Sequence, residues 1–244
     1  MHRLVVLLFL LISFSSRAQV IDRLQTAASC GYMRVDEKEM IYEINRLRSN
    51  PRSYLPYIQP LLDAARAQLR QSGKGSRNYS LSYRYHWSDG IKTTTIDTVW
   101  HYQNEEEVKA LSSLVAELKN LKPLSVLRAD SGIYCAAQKH ADDQDGHDWQ
   151  LMHTGSDGSA PWDRIRLFSP SMEFGSENIA GSGGLYTTPR GFILLLLIDA
   201  GIPGYGHREN LLDPQWTDIA VVIRSHQGMN WCIQNFGVSR KTGN

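Results

Sequence analysis

Two histidines and two acids, each set among small or flexible residues, are where this sequence could do chemistry. They are His153 in "LMHTGSDGS", Glu177 in "FGSENIAG", Asp199 in "LLIDAG" and His207 in "GYGHREN". These residue types suit two neutral imidazoles converging on a divalent ion, with the acids as ligands or as acceptors that fix the ring tautomers. The competing reading makes both histidines ordinary turn residues, solvated or capping. Asp199 is the informative member. It closes an apolar helical run, where a carboxylate meets the negative end of the helix dipole at a cost of about 0.3–1 kcal/mol. Either it points to water there, or a donor lies close. His207 is near enough in sequence to be that donor.

Other catalytic patterns fail on inspection. There is no HExxH, no histidine pair at i, i+4 and no G-x-S-x-G elbow. "DDQDG" resembles part of a calcium loop, but Ala141 stands at its first acid and Met152 at its closing Glu. "GSGG" has no phosphate-loop lysine after it.

The elements that must position the four residues can be read from periodicity. "DEKEMIYEINRLRSNPRSYL" predicts a helix with Met40, Ile41, Ile44 and Leu47 on one face, Asp36 as N-cap and Pro51 as its end. Residues 60–76 predict a short helix and a polar turn. "LSYRYHW" alternates, with Tyr83, Tyr85 and Trp87 on one face. With "SDG" and "IKTTTIDTVWHY" it predicts a β-hairpin whose aromatic face packs on the domain or contacts a ligand. "NEEEVKALSSLVAELKNL" predicts a helix capped by Asn104, its three glutamates suiting the dipole. "SGIYCAAQKHADDQ" predicts a helix with Ile133, Ala136, Ala137 and His140 near one face. "TTPRGFILLLLIDAG" predicts a helix capped by Thr188 and apolar all round from Phe192 to Ile198, hence buried on every side. "TDIAVVIRSH" and "NWCIQNFGV" predict a closing antiparallel hairpin. Helices interleaved with a few antiparallel strands mean an α+β layered domain.

The chain has 244 residues and opens on Arg3, an apolar run and Ser16-Arg17-Ala18. That is the pattern of a signal peptide over residues 1–18, cleaved after Ala18, followed by a linker over 19–35. Cleavage removes Arg3 and Arg17 and takes the formal charge from +1 to −1. A near-neutral chain has no electrostatic footprint for nucleic acid. No later run is long enough to span a bilayer. Cys30, Cys135 and Cys232 are an odd number of thiols; Cys135 and Cys232 are expected to be plain buried ones. "AASC" before Cys30 is a poor lipid-attachment box, since Asp22 and Arg23 separate it from the apolar run.

Five stretches in one order carry a resemblance: "EMIYEINRLRSNPRSY", "CAAQKHADDQ", "HTGSDGSAPWDRI", "SENIA" and "GHRENLLDPQWTDIAV". Together they resemble the CAP superfamily of cysteine-rich secretory, antigen 5 and pathogenesis-related proteins, in its bacterial form. The resemblance covers about residues 36–57 and 120–238, with about 60–119 as an insertion into a single domain over 36–240. It implies a three-layer α-β-α sandwich with a central antiparallel sheet, an inserted β-hairpin, and a cleft tetrad of His153, Glu177, Asp199 and His207. The flexible residues before His207 would then let its ring enter that cleft. The resemblance also implies an exported protein, secreted or periplasmic. Three activities follow as alternatives. The first is a binding module in which His153 and His207 hold a weakly bound divalent ion, zinc foremost, supported by Glu177 and Asp199, beside a small-molecule, lipid or protein ligand. The second is a hydrolase with Glu177, His153 and His207 as candidate catalytic groups. The third is a lipid or protein binder using the hairpin aromatics, including Trp100, with a purely structural tetrad.

Overall fold

The computed structural model describes residues 23–240 apart from 89–90, 150 and 183–185, and only the backbone across 78–101. The leader and its cleavage point therefore lie outside the described residues. So do the Asp89–Gly90 turn and the side chains of Tyr83, Tyr85, Trp87 and Trp100. The chain divides into two compact units. One comprises Met1–Pro51, Lys122–Leu196 and Asn210–Asn244, the other Arg52–Leu121 and Leu197–Glu209.

The first unit is built on a four-stranded sheet in the order β3-β5-β6-β4, made of β3 (Arg128–Ala129), β4 (Met172–Ser182), β5 (Asp218–His226) and β6 (Met229–Ser239). Residues Ile219 to Ile223 of β5 are all buried, which a strand of consecutive apolar residues requires when both of its faces are covered. Helix α1 (Val35–Ser49) covers one face, where Gln234 Nε2 meets Met40 Sδ at 3.3 Å. Helices α4 (Ser131–Asp145) and α5 (Pro161–Phe168) cover the other. A Cβ on Gly237 would lie 2.7 Å from Ile133 Cδ1, and one on Gly175 would lie 2.7 Å from Ile165 Cδ1. This is the expected α+β, three-layer arrangement. The sheet departs from the antiparallel expectation at one edge, because β3 pairs parallel with β5. The closing hairpin is present, and its turn is the two residues Gln227 and Gly228, both left-handed.

Local chemistry explains where the helices start. Met40, Ile41, Ile44 and Leu47 of α1 are fully buried, as their spacing predicts. Its N-cap, however, is Arg34 and not Asp36. Glu37 reaches back to accept the Arg34 backbone N–H at 2.8 Å, which fixes the helix start two residues earlier, and Asp36 pairs with the Arg34 guanidinium at 2.9 Å. The other Glu37 oxygen accepts the Ile223 N–H at 3.1 Å, on the edge of β5 beyond the two residues that β3 covers. Helix α4 is capped by Asp130, which accepts the Ile133 N–H at 2.8 Å. Its face of Ile133, Ala136, Ala137 and His140 is buried. Gly132 in its first turn lies against the end of α5, and a methyl group there would collide with the Phe168 carbonyl oxygen. Gly132→Ala is therefore expected to cost about 1–3 kcal/mol by overpacking, measured as a lower urea midpoint.

The second unit pairs helices α2 (Leu55–Ser72) and α3 (Gln103–Asn120) and carries the hairpin β1 (Arg77–Ser88) and β2 (Ile91–Tyr102). The hairpin is antiparallel along its whole length, from Arg77 opposite Tyr102 to Ser88 opposite Ile91. Helix α2 starts earlier than predicted, because Pro56 sits in its first turn, where no N–H is needed. Asn104 is not the cap of α3; that position is Tyr102. Asn104 instead ties the helix start to the preceding turn, its backbone N–H reaching Lys74 O at 3.0 Å and its side chain Gly73 O at 2.8 Å.

Helix α6 (Pro189–Ile198) has the predicted cap, Thr188 Oγ1 accepting the Gly191 N–H at 3.1 Å. It is not enclosed on every side: Leu194 and Leu195 are only half-buried. Among the described residues no helix is long and apolar enough to cross a membrane. All three cysteines are free thiols. Cys232 is buried and its pKa is pushed far up by burial, but Cys135 is exposed, because it lies one position off the face that α4 turns to the sheet.

Candidate functional site

The four residues form two pairs. In the first unit the His153 ring Nδ1 lies 3.1 Å from Glu177 Oε1. In the second the His207 ring Nδ1 lies 2.7 Å from Asp199 Oδ1. A carboxylate only accepts, so each Nδ1 carries the proton and each lone pair sits on Nε2. The acids are buried in both pairs, while the His153 side chain is 50% exposed and that of His207 22%.

Glu177 sits midway along β4, opposite Asn235 of β6, so its side chain faces α4 and α5. Those helices hold it. Arg164 of α5 donates through Nη2 to Glu177 Oε1 at 3.2 Å and Oε2 at 3.0 Å, and to the His153 carbonyl at 2.9 Å. Its Nη1 donates to Ser159 O at 2.7 Å. His140 of α4 brings Nε2 to 3.7 Å from Glu177 Oε1 and 2.9 Å from Met152 O. The peptides on both sides of His153 Cα are thus pinned at their carbonyls. The chain leading in is strained: Asp148, Trp149 and Leu151 all have left-handed backbones. Trp149 holds that turn by stacking on Trp231, ring centroids 5.3 Å apart.

Asp199 follows the last residue of α6 with φ of 52°, a left-handed conformation that Asp tolerates. The dipole penalty expected there is offset in two ways. Asp199 Oδ2 accepts the His207 N–H at 3.0 Å, which places the carboxylate at the start of helix α7 (Gly206–Leu212), the favourable end of that helix. The next residue, Arg208, donates to the α6 carbonyls of Leu197 at 2.7 Å and Ile198 at 3.0 Å. Gly204 supplies the turn with φ of 78°. So the donor near Asp199 is His207, as one of the two sequence readings had it.

The carboxylates are spoken for. Glu177 oxygens serve Arg164 and His153, and Asp199 oxygens serve His207 twice, which suits them as orienting groups and not as metal ligands. An imidazole held by Nδ1 to a carboxylate is a common donor for a divalent ion, through Nε2. Among the described residues no three His, Cys, Asp or Glu side chains cluster as a metal-holding set. Each imidazole, taken by itself, offers an ion one donor through Nε2.

Sequence reasoning missed Arg164 and His140 as parts of the site. Nothing in spacing separates buried Arg164 from Arg166, two positions on, which is exposed. His140 was placed on the buried face of its helix, and that was its one available signal. Burial lowers the His140 pKa, against the opposing pull of Glu177. The unfolded chain thus takes up this proton near pH 6.5 while the folded chain resists it, so stability held above that pH is lost as pH falls below it. His140→Gln is expected to flatten the fall in Tm between about pH 7 and 5 in calorimetric scans. An unchanged slope would assign that fall to other groups.

An α+β layered domain with two carboxylate-anchored histidines is the class these features define. No protein-family model matches the chain, and no curated protein matches it. Two solved structures do. An outer surface protein of Borrelia burgdorferi is 22% identical, with a TM-score of 0.41 over 56% of this chain and 95% of that one. An extracellular protein containing an SCP domain, from Bacillus anthracis, is 14% identical, with a TM-score of 0.39 over 72% of this chain and 71% of that one. At these scores the chemistry of the site rests on its own residues.

Proposed function

We propose that this is an exported, CAP-like binding protein in which His153 and His207 are the metal-contacting imidazoles and Glu177 and Asp199 hold their rings. One observation carries the reading. The same ring atom, Nδ1, is bonded to a buried carboxylate in both histidines, leaving Nε2 as the basic nitrogen of each. An imidazole completed by water makes a weak, exchangeable site, since a structural zinc has about four protein ligands. Bound there, a divalent ion would offer a Lewis-acidic position to an oxygen of a small-molecule, lipid or protein ligand. A Glu177 base for hydrolysis is disfavoured by the Arg164 contacts to both of its oxygens.

The test is calorimetric titration of zinc into the mature chain and into His153→Ala and His207→Ala. Each substitution is expected to weaken binding at least about tenfold, roughly 1.4 kcal/mol. Heats equal to wild type in both variants would end the proposal.

A further inference from the structure

The turn between α6 and α7 carries four left-handed residues: Asp199 with φ of 52°, Gly201 with 82°, Gly204 with 78° and Tyr205 with 55°. Three of them suit that backbone, since glycine has no Cβ to clash and Asp tolerates the conformation. Tyr205 does not. A bulky side chain at positive φ is an outlier, and such strain persists only where the surroundings hold it. The side chain of Tyr205 must therefore be held.

Two partners in the second unit hold it. Its hydroxyl donates to Glu106 Oε1 at 3.3 Å, and the Arg208 guanidinium lies over its ring at 4.1 Å. Glu106 is in the first turn of α3, its side chain only 13% exposed, so this bond is largely shielded from water. Arg208 itself reaches Ala110 O at 3.0 Å, Ser113 Oγ at 2.9 Å and Glu117 Oε2 at 3.5 Å. Positions 106, 110, 113 and 117 recur at steps of three or four, which is one stripe along α3. Tyr205 and Arg208 are thus fastened to the same stripe of the same helix.

His207 stands between those anchors. Its backbone N–H and its ring Nδ1 both donate to Asp199, at 3.0 and 2.7 Å, so the ring is aligned only while His207 and Asp199 keep their spacing. Arg208 fixes the far side of His207. On the near side, the backbone bonds of the turn, Ile202 N–H to Asp199 O at 3.2 Å and Tyr205 N–H to Ile202 O at 3.1 Å, run within it and do not reach α3. The Tyr205 side chain does.

We infer that Tyr205 is a positioning residue for the His207 imidazole. Its ring and hydroxyl latch the turn to Arg208 and Glu106, and the strained backbone is retained for that contact. Helix α3 lies in the stretch that the sequence marks as an insertion, so that stretch supplies the platform of one histidine besides carrying the hairpin. The inference rests on the metal reading of His207 only where zinc is the probe.

The test uses the intact chain, first without metal. Tyr205→Gly removes the latch and relieves the left-handed backbone, so stability and positioning part company in this variant. Its urea midpoint is expected to stay near wild type. Amide exchange at His207 is expected to rise about tenfold, the fold-change that a hydrogen bond to a charged group carries, and the His207 ring nitrogen shifts to move. Tyr205→Phe, which keeps the ring over Arg208, should show a smaller share of both changes. Glu106→Ala should match Tyr205→Phe and add nothing to it in the double variant, while Glu106→Gln, which keeps an acceptor, should stay near wild type. In zinc titrations the variants should lose affinity in the order in which their His207 shifts move. His207 exchange and shifts equal to wild type in a folded Tyr205→Gly, or additive effects of Tyr205→Phe and Glu106→Ala, would overturn the latch. Moved shifts with unchanged zinc heats would uphold the latch and overturn the metal role of His207. Should Tyr205→Gly not fold, the pair of Tyr205→Phe and Glu106→Ala decides.

Discussion

Arg164→Met is expected to lower the stability of this protein by about 3–5 kcal/mol, the largest effect of any single substitution near the histidines. Arg164 is 1% exposed and its partner Glu177 4%. The substitution keeps most of the apolar stem but strands a carboxylate that is buried on β4. It also frees the carbonyls of His153 and Ser159, which Arg164 holds at 2.9 and 2.7 Å. The cost arises less from the lost attraction than from the uncompensated charge, because two ions removed from water repay their desolvation only as a pair. Arg164→Met/Glu177→Gln should therefore recover a large part of the loss. Arg166→Met, altering an exposed residue of the same helix, should stay within about 0.5 kcal/mol of wild type. Guanidinium chloride denaturation of the four proteins measures all of this. A loss below about 1 kcal/mol in Arg164→Met would mean that water reaches Glu177.

The second large effect is expected at Arg208. Its guanidinium is buried and donates to three backbone carbonyls, Leu197 at 2.7 Å and Ile198 and Ala110 at 3.0 Å, and to Ser113 Oγ at 2.9 Å. It also lies 4.1 Å from the centre of the Tyr205 ring. Arg208→Met takes their donor from the last carbonyls of α6, while Ala110 O keeps the Ser113 hydroxyl at 2.9 Å. At about 1–3 kcal/mol for each buried group left bare, discounted for carbonyls that water can reach, the expected loss is about 3–4 kcal/mol. The effect has a local signature as well. Asp199 takes the His207 N–H in a turn that Arg208 anchors, so amide exchange at His207 should speed up beyond the global change. Arg208→Lys, with one point charge in place of a fork, should rescue little. Exchange at His207 unchanged in Arg208→Met would separate the anchor from the histidine turn.

What could be read without coordinates followed one physical line, the match between local chemistry and local geometry. Thr188 before Pro189 caps α6, because a cap needs only its own next three residues. Met40, Ile41, Ile44 and Leu47 are buried because helical spacing alone puts them on one face. The same logic failed wherever another partner claimed the helix start. Asp36 and Asn104 have the right types for caps, yet Glu37 claims the first helix start and the Gly73–Lys74 turn claims the second. The parallel pairing of β3 with β5 was not legible, because two residues of pairing leave no periodic trace.

The site divides in the same way. The amino-acid order by itself singled out four candidate residues and marked Asp199 as a carboxylate after an apolar helix, a local electrostatic conflict that water or a nearby donor could relieve. Only the tertiary structure decided that Glu177 is held by Arg164 and flanked by His140. Those contacts join β4 to two helices through side chains whose own neighbours in sequence say nothing of them. A buried charge is stabilised by whatever the fold brings to it across space, and such partners leave no mark in the spacing of the chain.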